Sequence, residues 1–442
     1  MVGIRCHGQA PQLHDAGHQE KASLGRGQVS PPEKEPGRSG EIAVDHVLEQ
    51  LARNLTQIVG FIYPNEVELH WGILIVVYPY ITGLVAGAFI LASLERVFNV
   101  KEIMPTYRLS LLTALSFLLI APMPLLLHLG HPERFYEIMM TPHLRSAMAM
   151  FGFVYAWYLM MVLVLEIWFE YRKDLVQWAR EGKSWKKYLH WLLTLGSTDL
   201  SEKSLRFDHQ AVTFITVVGI PSAFLLHGYV GFIFGSIKAN PWWSSVLMPI
   251  VFLFSAIVSG IALMILVYGV STLLRNQAID MKCMDKLASY LLYVLIIDLS
   301  LETLDFIHRV YESVESIHIM GQMISQKLFI TLIVVQLLLG TLIPIGSLFM
   351  TKLFKLPDEL KRLIYFLAAI LVQVGIFSTR WNVVVGGQLF SKSLRGLTNY
   401  KMELLGIEGL LISIGLLILP VVILIILVKI LPPWKEYDSV AG

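Results

Sequence analysis

Read for hydrophobicity alone, the chain from residue 71 onward alternates between long apolar runs and short polar connections. Nine runs are long enough to cross roughly 30 Å of hydrocarbon, which takes about 20 helical residues. They cover 71–93, 107–127, 147–168, 210–234, 246–273, 287–306, 329–350, 363–385 and 404–429. No extended polar domain interrupts them. The pattern predicts an all-α integral membrane protein of about nine transmembrane helices: two four-helix bundles, 70–245 and 246–390, then a C-terminal span and tail, 391–442. Ahead of the first run lies an amphipathic interfacial segment, 41–69, of which 41–63 carries apolar residues three and four apart with charges between them, the pattern of a helix lying on a membrane surface. Residues 1–40 are rich in Gly, Pro, Ser, His and charge and lack the apolar core of a secretory signal, so they read as a disordered tail.

Composition sharpens this. Of 442 residues, 55% are hydrophobic and 15% charged, and the mean hydropathy is +0.63. A soluble domain could not bury that much apolar surface. The 35 Lys and Arg nearly balance 33 Asp and Glu, so there is no basic face for nucleic acid. Cys6 and Cys283 stand far apart, which leaves the chain unable to build an iron–sulfur cluster, a zinc cage or a c-type haem attachment of its own. Connections after spans 1, 3, 5 and 7 hold 17 Lys and Arg, against 8 in the others. Positive connections stay in the cytoplasm. The start of span 1 is therefore expected to face outward, the periplasm if this is a bacterial inner membrane.

That orientation gathers polar residues at the outer interface. His70 opens span 1; His128, His131 and Arg134 close span 2 in "HLGHPERF"; His227 and Tyr229 close span 4 in "LLHGYVGF". Interfacial His and Tyr are ordinary anchors taken singly, and Arg134 could simply cap helix-end carbonyls. Together they would build a pocket with apolar walls and imidazole and phenol donors. A quinone head group is a flat apolar ring with two carbonyls, and its reduced form must lose protons, so such a pocket suits it.

A second group lies in span 6. Asp298, Glu302, Asp305 and Arg309 fall four, three and four residues apart, on one helix face. Acids in a span cost on the order of 2.5–3.5 kcal/mol each, so they must find partners or line a hydrated path. Arg380, near the outer end of span 8, is expected to meet Asp305 as a salt bridge between spans 6 and 8. Asp298 and Glu302, nearer mid-membrane, are candidates for a proton path. Gly83 and Gly87 in span 1 and Gly260 in span 5 mark close helix contacts. Six prolines (Pro79, Pro122, Pro124, Pro221, Pro249 and Pro344) are expected to kink their spans.

The stretches "HWGILIVVYPYITGLVAGAF", "LGHPERF", "GIPSAFLLHGYVGFIFG", "PWWSSVLMPIVFLFSAIVSG" and "TRWNVVVGGQ", in this order, resemble the NrfD/polysulfide reductase membrane-subunit family. The longer branch fits better, the one with a span after two four-helix bundles, which includes a hydrogenase membrane subunit and the quinol-oxidising subunits of alternative complex III. The resemblance implies a haem-free anchor that reacts with menaquinone or ubiquinone near the periplasmic side. It also implies a ferredoxin-like iron–sulfur subunit docked at the outer face and a catalytic partner: a hydrogenase, a molybdenum enzyme or a multihaem cytochrome. On that reading His70 and Tyr229 contact the head group, and the "LGHPER" loop shapes the pocket and the partner surface. Two other classes compete: a di-haem cytochrome b anchor using histidines among His70, His128, His131, His209 and His227, and a proton or ion transporter that uses the span 6 acids alone.

Overall fold

The computed structural model describes residues 58–141, 143, 145–146, 154–181, 185–312 and 316–434. The expected tail 1–40, the first part of 41–69 and the start of span 3 at 147 lie outside the described residues. Among the described residues nine helices are long and apolar enough to cross a membrane. They are span 1 (Ile73–Arg96), span 2 (Lys101–His128), span 3 (Val154–Glu181), span 4 (Glu202–Gly235), span 5 (Met248–Leu274), span 6 (Met281–Tyr311), span 7 (Ile317–Leu353), span 8 (Asp358–Gln388) and span 9 (Leu410–Ile430). The chain is an all-α integral membrane protein.

Several spans run past their apolar stretches because the charges there are paired. Span 3 continues to Glu181 since Arg172 bonds both oxygens of Asp208 in span 4, at 2.9 and 2.7 Å. Arg108 of span 2 meets Glu170 at 2.9 Å and Asp174 at 2.7 Å. Paired charges no longer forbid continued helix in a place poor in water. Span 4 starts at a side-chain cap, the Ser201 hydroxyl accepting from the Ser204 N–H at 3.3 Å.

Span 1 is the hub: 94% of its apolar stretch is buried inside the protein, against 22% for span 9. It packs on spans 2, 4, 5, 8 and 9, and span 5 in turn packs on spans 4, 6 and 8. The tightest point is Gly87 against Gly260. A Cβ on Gly87 would land on the Ala256 carbonyl and 2.8 Å from the Gly260 Cα, and one on Gly260 would strike the Gly87 backbone. Spans 7 and 8 repeat the device at Gly340 and Gly375, where a Cβ on either would strike the other's backbone. Small residues let helix backbones approach and gain contact where lipid offers no hydrophobic drive.

Two departures from regular helix have identifiable causes. Span 2 turns at Ala121–Pro122 before resuming as Met123–His128, because the proline ring and missing N–H break the ladder. In span 7 the stretch Ile324–Leu342 is wound as a π-helix and ends where Pro344 opens the α-helix Ile343–Leu353. Residues 58–63, where the surface helix is expected to end, are not helical, and a short turn of 3-10 helix follows at Pro64–Glu66. Val59–Gly60 pairs antiparallel with Gly396–Leu397, the first of several bonds that tie the entry of span 1 to the exit of span 8. Trp71 exchanges two bonds with the Gln388 amide (3.1 and 2.9 Å), and the Ile73 N–H at the open end of span 1 donates to the Tyr400 hydroxyl at 3.0 Å.

Gly260→Val should force the two hub helices apart. Overpacking of this kind costs roughly 1–3 kcal/mol, so the purified variant should unfold at a lower temperature in detergent. A wild-type melting curve would mean the glycine contact is not needed.

Candidate functional site

The close approach of spans 1 and 5 leaves room for a polar cluster about two to three turns inside the face on which His70 lies. The His227 imidazole rests against Gly83, where a Cβ would come within 3.2 Å of its ring. Arg380 of span 8 donates to His227 Nε2 at 3.2 Å and to the Ser255 hydroxyl at 2.6 Å, and its guanidinium sits 4.2 Å from the Phe252 ring centre. Both Arg380 and His227 are fully buried. Because Nε2 accepts from a guanidinium, the proton belongs on Nδ1, which faces the Thr82 hydroxyl at 3.4 Å. Both ring nitrogens of His227 are thus engaged within the protein.

The span 6 stripe divides in two. Asp305 does not pair with Arg380, contrary to the expectation from depth. It meets Arg309 one turn along its own helix at 2.8 Å, and the Ser245 hydroxyl. Arg309 also holds the Pro241 and Trp242 carbonyls at 2.6 and 2.9 Å, fastening span 6 to the connection before span 5. A partner four residues away on the same helix is already in place, whereas Arg380 would have to leave the core to reach Asp305.

Asp298 and Glu302 lie deeper and feel the charge of Arg380. Glu302 accepts from the Gln336 amide, 3.2 Å to each oxygen, and Gln336 Oε1 accepts from Asn382 Nδ2 at 2.8 Å. Among the described residues, Asp298 Oδ1, Asn382 Oδ1, and Nε and Nη1 of Arg380 are buried with no hydrogen-bond partner. Glu302, Gln336 and Asn382 line one end of a cavity of about 380 Å³ between spans 5, 6, 7 and 8.

Toward the His70 face, three phenols from spans 1, 3 and 4 converge. The Tyr78 hydroxyl interacts electrostatically with those of Tyr155 and Tyr229, and Tyr155 donates to the Leu118 carbonyl of span 2. Tyr229 and His227, two residues apart on one helix, both turn into the protein but toward different neighbours. His70 is exposed, three residues ahead of the first turn of span 1. His128 meets Glu408 at 2.7 Å, holding the end of span 2 beside the start of span 9. His131 pairs with Glu133 at 3.1 Å and Arg134 with Glu137 at 2.8 Å, Glu137 half-buried and the other three exposed. The Arg134 hydrogen bond holds the Glu137 carboxyl below the usual carboxylate range.

Sequence reasoning passes over a further group. Glu166 is fully buried in span 3 and accepts from Tyr107 at 3.3 Å and Thr216 at 2.8 Å. It lies toward a cavity of about 510 Å³ at the opposite face, whose wall includes Arg96, Arg108, Glu170, Asp208 and His209. A signal exists: Glu166, like Gln336, is a polar residue inside an otherwise apolar run, and each must have a partner there. Asn382 stands two residues after Arg380, within the same "TRWNVVVGGQ" motif. Among the described residues, no group of three or more His, Cys, Asp and Glu is placed to hold a metal ion.

Comparison with known proteins agrees with this architecture. The chain is 31% identical over 388 residues to a selenate reductase subunit of Mesobacillus selenatarsenatis, covering 84% of this chain and 88% of that protein. It is 29% identical over 204 residues (45% of this chain, 42% of the other) to a protein of Halobacterium salinarum assigned as a dimethyl sulfoxide reductase membrane subunit. It is 26% identical over 219 residues to protein NrfD of Escherichia coli, covering 49% of this chain and 64% of that protein. The family model described as "Polysulphide reductase, NrfD" matches residues 64–392, from the entry of span 1 through span 8, and the chain belongs to that family.

Proposed function

We propose that the chain is a haem-free membrane anchor subunit of a multisubunit respiratory oxidoreductase. It would react with a quinone or quinol and exchange electrons with an iron–sulfur partner at the His70 face. The observation that carries this reading is the convergence of Tyr78, Tyr155 and Tyr229 inside an apolar bundle on that side. Phenols offer hydrogen-bond donors and acceptors to ring oxygens while their bodies keep the slot apolar. His70, exposed ahead of span 1, would serve at the mouth as a proton acceptor through a basic ring nitrogen.

The loop after span 2 suits a docking surface. His131 and Arg134 form only local pairs, and Phe135, Tyr136, Met139 and Met140 are exposed beside them. Aromatic, Met and Arg side chains are the ones enriched at protein interfaces. The names of the relatives, subunits of selenate and dimethyl sulfoxide reductases, support a catalytic partner of the reductase type over a hydrogenase or multihaem cytochrome.

Asp298 and Glu302, with Arg380 nearby, are the candidates for moving protons during turnover. Their depth and their position beside unpaired polar atoms support this role.

Tyr229→Phe should lower quinone-linked electron transfer by about tenfold, for the loss of one buried hydrogen bond, and His70→Ala should lower it through the loss of a proton acceptor at the mouth, both leaving assembly of the complex intact. Unchanged turnover would count against the pocket. Asp298→Asn combined with Glu302→Gln should diminish proton translocation by reconstituted vesicles; equal acidification would make these acids structural.

A further inference from the structure

The connection between spans 3 and 4 carries a helix, Trp185–Leu193, that the function proposed above does not use. One side of it is fastened to the protein. His190 is buried, lies with its ring centre 5.1 Å from that of Trp178, and donates from Nε2 to the Ile430 carbonyl at 3.0 Å. One turn away Lys186 reaches the Lys429 carbonyl at 3.5 Å, and Trp168 of span 3 donates to the Leu193 carbonyl at 2.9 Å. The other side is bare. Trp185, Tyr188, Trp191 and Leu192 are all exposed, and 185, 188 and 192 share one helix face. A contiguous apolar face of this kind marks an interaction surface.

Depth and charge say what covers it. Span 9 has 21 residues, about 31 Å of helix, so it spends its whole length crossing roughly 30 Å of hydrocarbon. Its closing carbonyls, those of Lys429 and Ile430, therefore lie at the membrane boundary opposite the His70 face. Lys186 and His190 both rest on them, which lays the connecting helix along that boundary. Trp and Tyr rings belong at this level, among lipid headgroups. Lys187 and Lys429 are exposed and form no ion pair among the described residues. Of the acids nearby in the chain, Asp174 is held by Arg108 at 2.7 Å and Asp199 accepts from the Ser201 N–H and hydroxyl. Glu181 is left against Lys186, Lys187 and Lys429. Lys429 follows Ile425 by one turn on the same face of span 9, and Ile425 is exposed, so this ammonium stands directly above a surface that meets lipid tails.

We propose that the Trp185–Leu193 helix and the end of span 9 form a binding site for an anionic phospholipid in the leaflet opposite His70. Its phosphate is held by Lys187 and Lys429, with Lys186 adding charge, its tails run along the Ile425 face, and the rings of Trp185, Tyr188 and Trp191 sit at the glycerol level. Basic side chains beside membrane helices attract anionic headgroups, and lysine stems lie along apolar surface while the ammonium reaches the phosphate. The bound lipid clips span 9, the least buried of the spans together with span 7, to the extension of span 3.

The test titrates the full chain in neutral detergent with phosphatidylglycerol, phosphatidylcholine of the same acyl chains, and free glycerol phosphate. Phosphatidylglycerol should bind at least about tenfold more tightly than phosphatidylcholine, each lysine near an anionic headgroup being worth about fivefold, and glycerol phosphate should neither bind nor compete. Lys187→Glu combined with Lys429→Gln should erase the preference. Lys187→Glu alone, at a side chain that contacts no other in the protein, should cut it by about fivefold or more, which decides the matter if the double variant folds poorly. In nanodiscs, brominated phosphatidylglycerol should quench tryptophan emission less in Trp185→Phe/Trp191→Phe than in the wild type. Equal affinity for the two lipids, a preference that survives Lys187→Glu, or competition by glycerol phosphate would overturn the proposal. So would quenching unchanged by the tryptophan substitutions, since the aromatic face would then be covered by protein. None of these readouts involves quinone turnover, so failure here leaves the function proposed above untouched.

Discussion

The buried cluster around Arg380 and His227 depends on two helices touching backbone to backbone. Gly87 and Gly260 let spans 1 and 5 meet without side chains between them, and the consequences spread outward. With span 5 drawn in, Ser255 and the Phe252 ring come within reach of Arg380. With Gly83 one turn away, the His227 ring can come close to span 1, where a Cβ would crowd it. A single methyl at the glycine contact would push these groups apart together. The glycines supply none of the chemistry; they fix the spacing at which it becomes possible.

The buried arginine is the next constraint. A fully buried guanidinium needs partners of several kinds, and Arg380 draws on an imidazole, a hydroxyl and an aromatic face, with the charges of two carboxylates nearby. These come from spans 4, 5 and 6. One charged residue on span 8 therefore ties four helices together. It also links the span 6 acids to a histidine reached from the other half of the chain.

Much of this is legible in the sequence, and the exceptions have physical causes. The spans are visible because apolar length is a strong signal, but their ends are not. Helix continues wherever a charge finds a partner, as Arg172 does in Asp208, and pairing between distant residues leaves no mark in local hydropathy. The glycine contact of spans 1 and 5 is readable from small residues at matched positions. Depth alone points Asp305 toward Arg380, yet adjacency wins, because Arg309 one turn along is nearer. Sequence does not rank His227 and Tyr229 as inward or outward, since in this fold both turn inward. Gln336 and Asn382 escape notice because an amide carries no charge to advertise it. Their partners emerge only once spans 6, 7 and 8 are packed together.

The stitching between the two ends of the matched region has a consequence for how the protein is made. Span 1 is the hub and emerges first, yet its opening N–H waits for a tyrosine hydroxyl 327 residues later, and its entry segment waits for a strand partner at Gly396–Leu397. During synthesis the centre of the molecule is therefore inserted long before its rim can be sealed. Most of the chain must be threaded through the insertion machinery while that end stays unlatched. Closure is a late event, reporting that eight crossings have arrived in the right order.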